Sequence, residues 1–391
     1  LSVTAKNAEV IVVGLGAVGA AALFQLARLG VPAIGIDRFS PPHDRGSSYG
    51  ETRITRQGVG EGEVYSRFAI RSHAIWRELE AATGLDLMLN RGVLAIEPTA
   101  GGVAFHGRTD FLERSAISAA AHGVAHEMLG ADEITARWPQ FILNGDEHGY
   151  FEPGGGLVYP ERCIAAQLME AERLGARVIR DEVVVRLDET PNGVAAATDR
   201  TIHHGGTVIV AAGAWMGSLI DLPSGVLTLQ PQTLHWFLPD DLGAYDAARF
   251  PAFIWSRGVA EGDSAYGFPI APGAATRAVK IGVETRRAVA APEHRDDRGP
   301  DDADLVYERA IAGRFRGLSS RVAKSAICLY TATPDSDFLI GRPLGRPRTL
   351  IASACSGHGF KHSAAVGEML ARASIEGDGD IPSAFDLERF Q

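Results

Sequence analysis

The stretch "AEVIVVGLGAVGAAALFQLARLGVPAIGIDR" constrains the fold more than any other part of this 391-residue chain. A β-branched strand runs into Gly14, Gly16 and Gly19 in a G-x-G-x-x-G turn, followed by a helix to about Leu29 and a second strand ending in Asp37. The first glycine permits a tight turn, the second lets a pyrophosphate approach the backbone, and the third lets the helix pack closely on the sheet. Unpaired N–H groups at the helix start can then hold phosphate. Asp37, 18 residues past Gly19, stands where a carboxylate accepts hydrogen bonds from a ribose. The unit predicts a dinucleotide site and does not choose between NAD and FAD. The competing reading is a glycine-rich turn in a plain βαβ unit.

A chain of this length exceeds one comfortable hydrophobic core, so two domains or one domain with a large insertion are expected. Residues 63–82 have helical periodicity, "GVLAIEP" reads as a strand, and residues 110–138 read as helix stopped by Pro139. "RCIAAQLMEAERLGARV" repeats the helix-to-strand pattern, and "GTVIVAAGAW" is a second buried strand ending in small residues. "YGFPIA" suggests antiparallel sheet, and residues 292–309 read as a solvated loop entering a helix. Near the end, "RTLIASACSGHGFKHSAAVGEMLARA" again gives strand, glycine-rich turn and helix. The expectation is an α/β protein with a Rossmann-like FAD-binding domain assembled from segments 5–85, 152–225 and 325–385. Segments 86–151 and 226–324 would form a substrate domain with a mixed or antiparallel sheet and helices. Such discontinuity favours a flavin enzyme over a tandem two-domain NAD dehydrogenase.

Charge and cysteine usage narrow the partners. A formal net charge of −10 leaves no basic footprint for nucleic acid or an anionic membrane surface. The 3 cysteines, at positions 163, 328 and 355, make no disulfide framework and have no metal-ligand spacing, which predicts a reducing compartment and no metal. Val10 to Leu26 is apolar but glycine-interrupted, carries Gln25 and lacks a basic segment immediately before it, so it reads as fold rather than leader. With no apolar run of about 18 residues, a soluble, cytoplasmic protein with a small-molecule partner is expected.

Five blocks in order carry a resemblance: "VGLGAVG", "GSSYGETRITR" at 46–56, "EPGGGLVYPERC", "AICLYTATPDSDF" and "SGHGFKHSAAVGE" at 356–368. Over nearly its whole length the chain resembles the monomeric sarcosine oxidase and N-methyltryptophan oxidase family, flavoprotein amine oxidases of D-amino-acid-oxidase-like fold. The resemblance implies FAD bound by Gly14, Gly16, Gly19, Asp37, Arg38, Ser47, Thr52, Arg53, Gly357, Gly359 and Lys361. It further implies oxidation of a secondary amine, an N-methyl or N-alkyl amino acid, to an imine that water splits to aldehyde and amine. Molecular oxygen would be the acceptor, giving hydrogen peroxide, and the enzyme would be a monomer.

Residue roles follow from the same resemblance, beside what each side chain can do. Arg53 and Arg56 are three apart and would share a face on a helical turn. The resemblance puts Arg53 near the flavin ring and Arg56 on the substrate carboxylate, against the alternative of two surface salt-bridge arginines. Lys361 is implied as the second carboxylate ligand, Tyr266 as a substrate contact, and His358 as a catalytic residue or else a turn residue. Lys280 sits in the apolar strand "TRAVKIGVE", where a cation is rarely left unpaired. The matching lysine promotes reaction of reduced flavin with oxygen. Cys328, by chemistry alone a packing residue, falls on the cysteine that forms a thioether with the flavin 8α-methyl. One position departs: Glu284 stands where the family has a histidine. A carboxylate there would favour a substrate carrying an extra basic or hydrogen-bonding group. Alternatives are a same-fold amine dehydrogenase passing electrons to a carrier, a D- or imino-acid oxidase, and a flavin-binding subunit without turnover.

Overall fold

The computed structural model describes residues 8–390 apart from 102, 107, 261 and 298–301. The buried strand Val10–Val13 lies inside a six-stranded sheet, and its β-branched residues cover both faces. Strand order is Arg177–Ile179, Ala33–Ile36, Val10–Val13, Thr207–Val210, Thr349–Ser353, Leu339–Gly341. The first five run parallel and the last is antiparallel. This sheet therefore draws on the beginning, middle and end of the chain. Helices Ala17–Arg28, Pro160–Arg173 and Ser363–Glu376 pack together over one core. Small residues set the spacing: a Cβ on Gly367 would lie 2.4 Å from that of Ala21, so the first and last of these helices touch backbone to backbone.

The second large element is an eight-stranded sheet, in order Leu318–Ala332, Thr228–Pro239, Val279–Val283, Ser264–Phe268, Ala252–Ser256, Val93–Pro98, Glu147–Glu152, Glu127–Gly130. Every pairing is antiparallel except that of Ala252–Ser256 with Val93–Pro98. Phe141, Phe250, Phe253 and Phe315 stack beneath it as an aromatic core. A three-stranded sheet of Arg53–Thr55, Gly156–Val158 and Met88–Asn90 and another of Val184–Thr190, Gly193–Thr198 and Ile202–Gly205 complete the pattern, with a small hairpin of Ala104–Phe105 and Arg108–Thr109.

Three expectations change. The stretch 110–138 is not one helix: Phe111–Ala121 ends before Gly123, whose φ of +66° turns the chain into strand Glu127–Gly130, and a second helix spans Ala131–Arg137. Arg53 lies on strand Arg53–Thr55 rather than a helical turn, so Arg53 and Arg56 do not share a helix face. The boundary expected at 325 cuts Leu318–Ala332, which pairs along its length with Thr228–Pro239 of the large sheet, with register shifts near Phe237; the topology favours a division after Ala332. In the 292–309 stretch a 3-10 turn, Pro292–Asp297, and a short helix, Ala303–Val306, are present, while 298–301 lie outside the described residues.

Candidate active site

A cleft of about 920 Å³ runs along the carboxyl ends of the parallel strands. Gly14 and Gly16 border it at one end, then Asp37, Arg38, Ser47 and Trp215, and at the other end Arg53, Tyr330, Cys355, Gly357, Gly359 and Phe360. The glycines fit a dinucleotide cradle. A Cβ on Gly14 (φ +87°) would sit 2.6 Å from the Ala211 carbonyl oxygen, and one on Gly19 would sit 1.8 Å from that of Gly14. Gly16 faces open space and starts a helix with no side-chain cap, which leaves the site a phosphate needs. The Asp37 carboxylate accepts from the Leu15 N–H (2.7 Å) and the Phe39 N–H (2.8 Å), which fixes its direction at the cleft wall. The Arg38 guanidinium lies over the Trp215 ring at 4.9 Å.

At the far end the cations are held by backbone. Arg53 donates to the carbonyl oxygens of Ser47 (2.7 Å), Tyr49 (2.6 Å) and Thr52 (2.8 Å) and reaches the Cys328 sulfur at 3.1 Å. Burial opposes its charge, but Cys328, Tyr330, Tyr266 and Glu161 outweigh that and raise its pKa. Lys280, on the central strand Val279–Val283, is 2% exposed. Its Nζ donates to the carbonyls of Gly50 (2.8 Å) and Thr52 (2.6 Å) and lies 3.8 Å from the centre of the Phe268 ring. Burial, with Arg53 adding to it, drives the Lys280 pKa well below the usual lysine value. The gripping loop is itself gripped: the N–H groups of Gly50 and Glu51 donate to one Glu161 oxygen at 2.8 and 3.0 Å, and Glu51 has a φ of +72°. Thr52 is buried and does not border the cleft.

Cys328 is 1% exposed and its thiol donates to the Tyr49 carbonyl oxygen at 3.0 Å. It is not on the cleft wall, although Tyr330, two residues along the same strand and so on the same face, is. Cys355 borders the cleft, its sulfur 3.7 Å from the Ser47 hydroxyl.

Beside this end lies a compartment of about 70 Å³, bordered by Arg53, Arg56, Glu61, His106, Tyr266, Glu284, Tyr330, Gly357, His358 and Lys361. The structure thus brings together all the expected substrate residues. Arg56 is 1% exposed; it donates to the Gly58 carbonyl (2.9 Å) and the Ser115 hydroxyl (3.1 Å) and pairs with Glu61 at 3.3 Å. Lys361 donates to the same Glu61 at 3.4 Å and to the His358 carbonyl at 3.1 Å. Burial would raise the Glu61 carboxyl, but Lys361, Arg56 and His106 hold it well below its usual range. Burial brings Lys361 down to about 8 despite Glu61. Burial likewise lowers His358 well below its usual value, and its Nε2 donates to the Ser336 carbonyl at 2.9 Å. The hydroxyls of Tyr266 and Tyr330 lie 3.4 Å apart. Sequence reasoning missed Glu61 and His106. Glu61 follows the two arginines in "GVGEGE", but Glu63 stands beside it and nothing local singles it out; His106 likewise had no signal.

Comparison with known proteins agrees with this geometry. The FAD dependent oxidoreductase family profile matches residues 9–373. Monomeric sarcosine oxidase of Streptomyces avermitilis is 33% identical over 385 residues, 97% of each chain. N-methyl-L-tryptophan oxidase of Salmonella typhimurium is 31% identical over 392 residues, 98% of each. Among solved structures, the open form of NikD, described as an unusual amino acid oxidase essential for nikkomycin biosynthesis, superposes with a TM-score of 0.83 at 21% identity, covering 98% of each chain. That likeness supports the fold.

Proposed function

The chain belongs to the FAD dependent oxidoreductase family, and on that premise we propose that it oxidises the secondary amine of an N-methyl or N-alkyl amino acid. The observation that carries this reading is the convergence of Arg56 and Lys361 on one small compartment beside the cleft. Arg56, Lys361 and a charged His106 face Glu61 and Glu284. With Arg53 also on the border, cations outnumber the two carboxylates, which favours an anionic substrate group. When bound, FAD would supply the two-electron acceptor for a hydride equivalent from the amine C–H bond, with oxygen as the final acceptor.

The chain's own groups do the rest. Arg56 and Lys361 anchor the carboxylate and so fix where the amine lies. Tyr266 and Tyr330, whose hydroxyls burial keeps protonated, close the compartment from the large-sheet side. His358, neutral through burial, offers a hydrogen bond without adding charge. Lys280 provides a cation where negative charge develops during reaction with oxygen. Glu284, 27% exposed at its side chain, favours a substrate whose side chain or N-alkyl group carries a hydrogen-bond donor. The family relatives named monomeric and the three free cysteines support a monomer in a reducing, cytoplasmic compartment.

Anaerobic bleaching of the flavin by a panel of N-methyl amino acids, cyclic imino acids and D-amino acids tests the reading. Bleaching by N-alkyl amino acids is expected, and peroxide should form under air. Bleaching without peroxide would favour the carrier-linked dehydrogenase, and no bleaching by any amine would remove the oxidase assignment. Covalent attachment through Cys328 is part of the proposal; it is supported by the placement of Cys328 against Arg53, which borders the cleft. Acid-precipitated protein should stay yellow, with the flavin mass on a Cys328 peptide and not on Cys355. Cys328→Ser should release it.

A further inference from the structure

We infer that His106 selects the substrate, by competing with the substrate's own hydrogen-bond donor for Glu284. The inference rests on the compartment being the amine site proposed above. His106 lies between the two short strands of the hairpin Ala104–Phe105 and Arg108–Thr109, which among the described residues pairs with no other strand. Its φ of +47° is left-handed, a conformation uncommon outside glycine, asparagine, aspartate and histidine. Its surroundings are charged. Nδ1 is 3.2 Å from Glu61 Oε1, and Nε2 is 2.9 Å from Glu284 Oε1.

An imidazole donates from both nitrogens only when protonated, so this geometry fits an imidazolium. Other charged or titratable groups around it are Lys361 and Arg56, which share Glu61, and His358, whose ring is 5.0 Å away. Burial works against the charge, yet Glu284 and Glu61 push His106 up to about 9.

The two carboxylates differ in what they lose if His106 leaves. Glu61 keeps Arg56 and Lys361. Among the described residues the Glu284 carboxylate has no hydrogen-bond partner except His106. Glu284 is also the more exposed of the two, at 27% against 3% of its side chain. Its bond to Nε2 is therefore the exchangeable one. The ring also fills space over the cofactor end, since a Cβ on Gly357 would come within 3.1 Å of Nε2.

With His106 in place the compartment is small, about 70 Å³, and His106 and Glu284 both border it. On this inference a substrate that outgrows it displaces the ring and takes His106 away from Glu284. The exchange is favourable only when the substrate brings its own donor, an ammonium, guanidinium or hydroxyl, to the vacated oxygen. The preferred class is therefore either minimal N-methyl amino acids or larger N-alkyl amino acids with a distal donor. Larger purely apolar ones are excluded.

The test uses holoenzyme, with sarcosine, N-methyl-lysine and N-methyl-leucine as probes of the three classes. His106→Ala should raise kcat/KM for N-methyl-lysine relative to sarcosine by about tenfold, because the donor meets an uncontested carboxylate. That gain should vanish in the Glu284→Gln background. An equal loss for all three substrates, the same in both backgrounds, would mean a structural role and overturn the inference. A second arm does not depend on turnover. Acetate binding, read from the flavin spectrum at neutral pH, should weaken about tenfold in His106→Gln, since one cation of the set is lost. Unchanged acetate affinity would overturn the inference even if amines are oxidised. If no amine reduces the parent enzyme, the amine reading fails while the acetate arm still judges His106.

Discussion

Lys280 and Lys361 are both almost removed from water, at 2% and 6% exposure, yet opposite kinds of partner hold them. Lys280 has two neutral carbonyls and an aromatic face, with its nearest carboxylates one step behind the loop that grips it. Lys361 has a carboxylate in direct contact. Burial lowers both, but Glu61 limits the fall at Lys361 to about 8, whereas Lys280 drops well below its usual value. Lys361 therefore keeps its charge at neutral pH with Glu61 beside it. Lys280 carries it conditionally, when an anion forms beside it. A permanent charge suits recognition of a carboxylate; a conditional one suits a step in which negative charge appears and goes.

The contrast breaks most visibly at Lys280. Replacing Lys280 by Met should slow reoxidation by air about a hundredfold or more, the scale of losing one preorganised electrostatic group. Reduction by amine under nitrogen should change far less. Stopped-flow traces of the two half-reactions would separate them, and equal slowing of both would mean that the two lysines serve the same step. Lys361→Met is expected to do the reverse. Loss of one charge-assisted bond of about 1.5–3 kcal/mol should weaken a carboxylate inhibitor by one to two orders of magnitude while reoxidation of the reduced enzyme is preserved.

The smallest effect sharpens the comparison through pH. Acetate affinity should be flat below about pH 8 and fall above it, because Lys361 loses its proton there and His106, at about 9, follows. A fluorescence or absorbance titration from pH 6 to 10 checks the sign. Affinity that rises with pH in this window would place the permanent charge elsewhere.

Legibility in the sequence followed the range of the interactions. The dinucleotide turn was readable because glycine spacing, strand, helix and Asp37 all lie within one βαβ unit, where local sterics dictate residue type. Lys280 was conspicuous because an ammonium in "TRAVKIGVE" violates strand composition. The carboxylate between Arg56 and Lys361 was not foreseen, since Glu61 meets Lys361 across 300 positions and nothing local distinguishes a buried counter-ion from a surface acid. His106 was hidden for the same reason, 178 positions from Glu284. Helix 110–138 was over-extended because alanine-rich periodicity outweighed a single glycine at 123. The arginines were assigned a shared face on helical spacing, while the strand Arg53–Thr55 gets its conformation from pairing with Gly156–Val158, about a hundred residues later.

The six-stranded sheet also bears on the order in which the protein is made. Its inner strand Val10–Val13 leaves the ribosome nearly two hundred residues before its neighbour Thr207–Val210, and Thr349–Ser353 follows later still. The helix Ser363–Glu376, packed on the one that follows the first glycine turn, comes last. At a synthesis rate of roughly 5–20 residues per second, the nascent phosphate cradle waits on the order of ten seconds or more for the strands that complete it. Flavin capture is therefore a late event, and nascent chains stalled before residue 349 should retain no flavin while released full-length chains do.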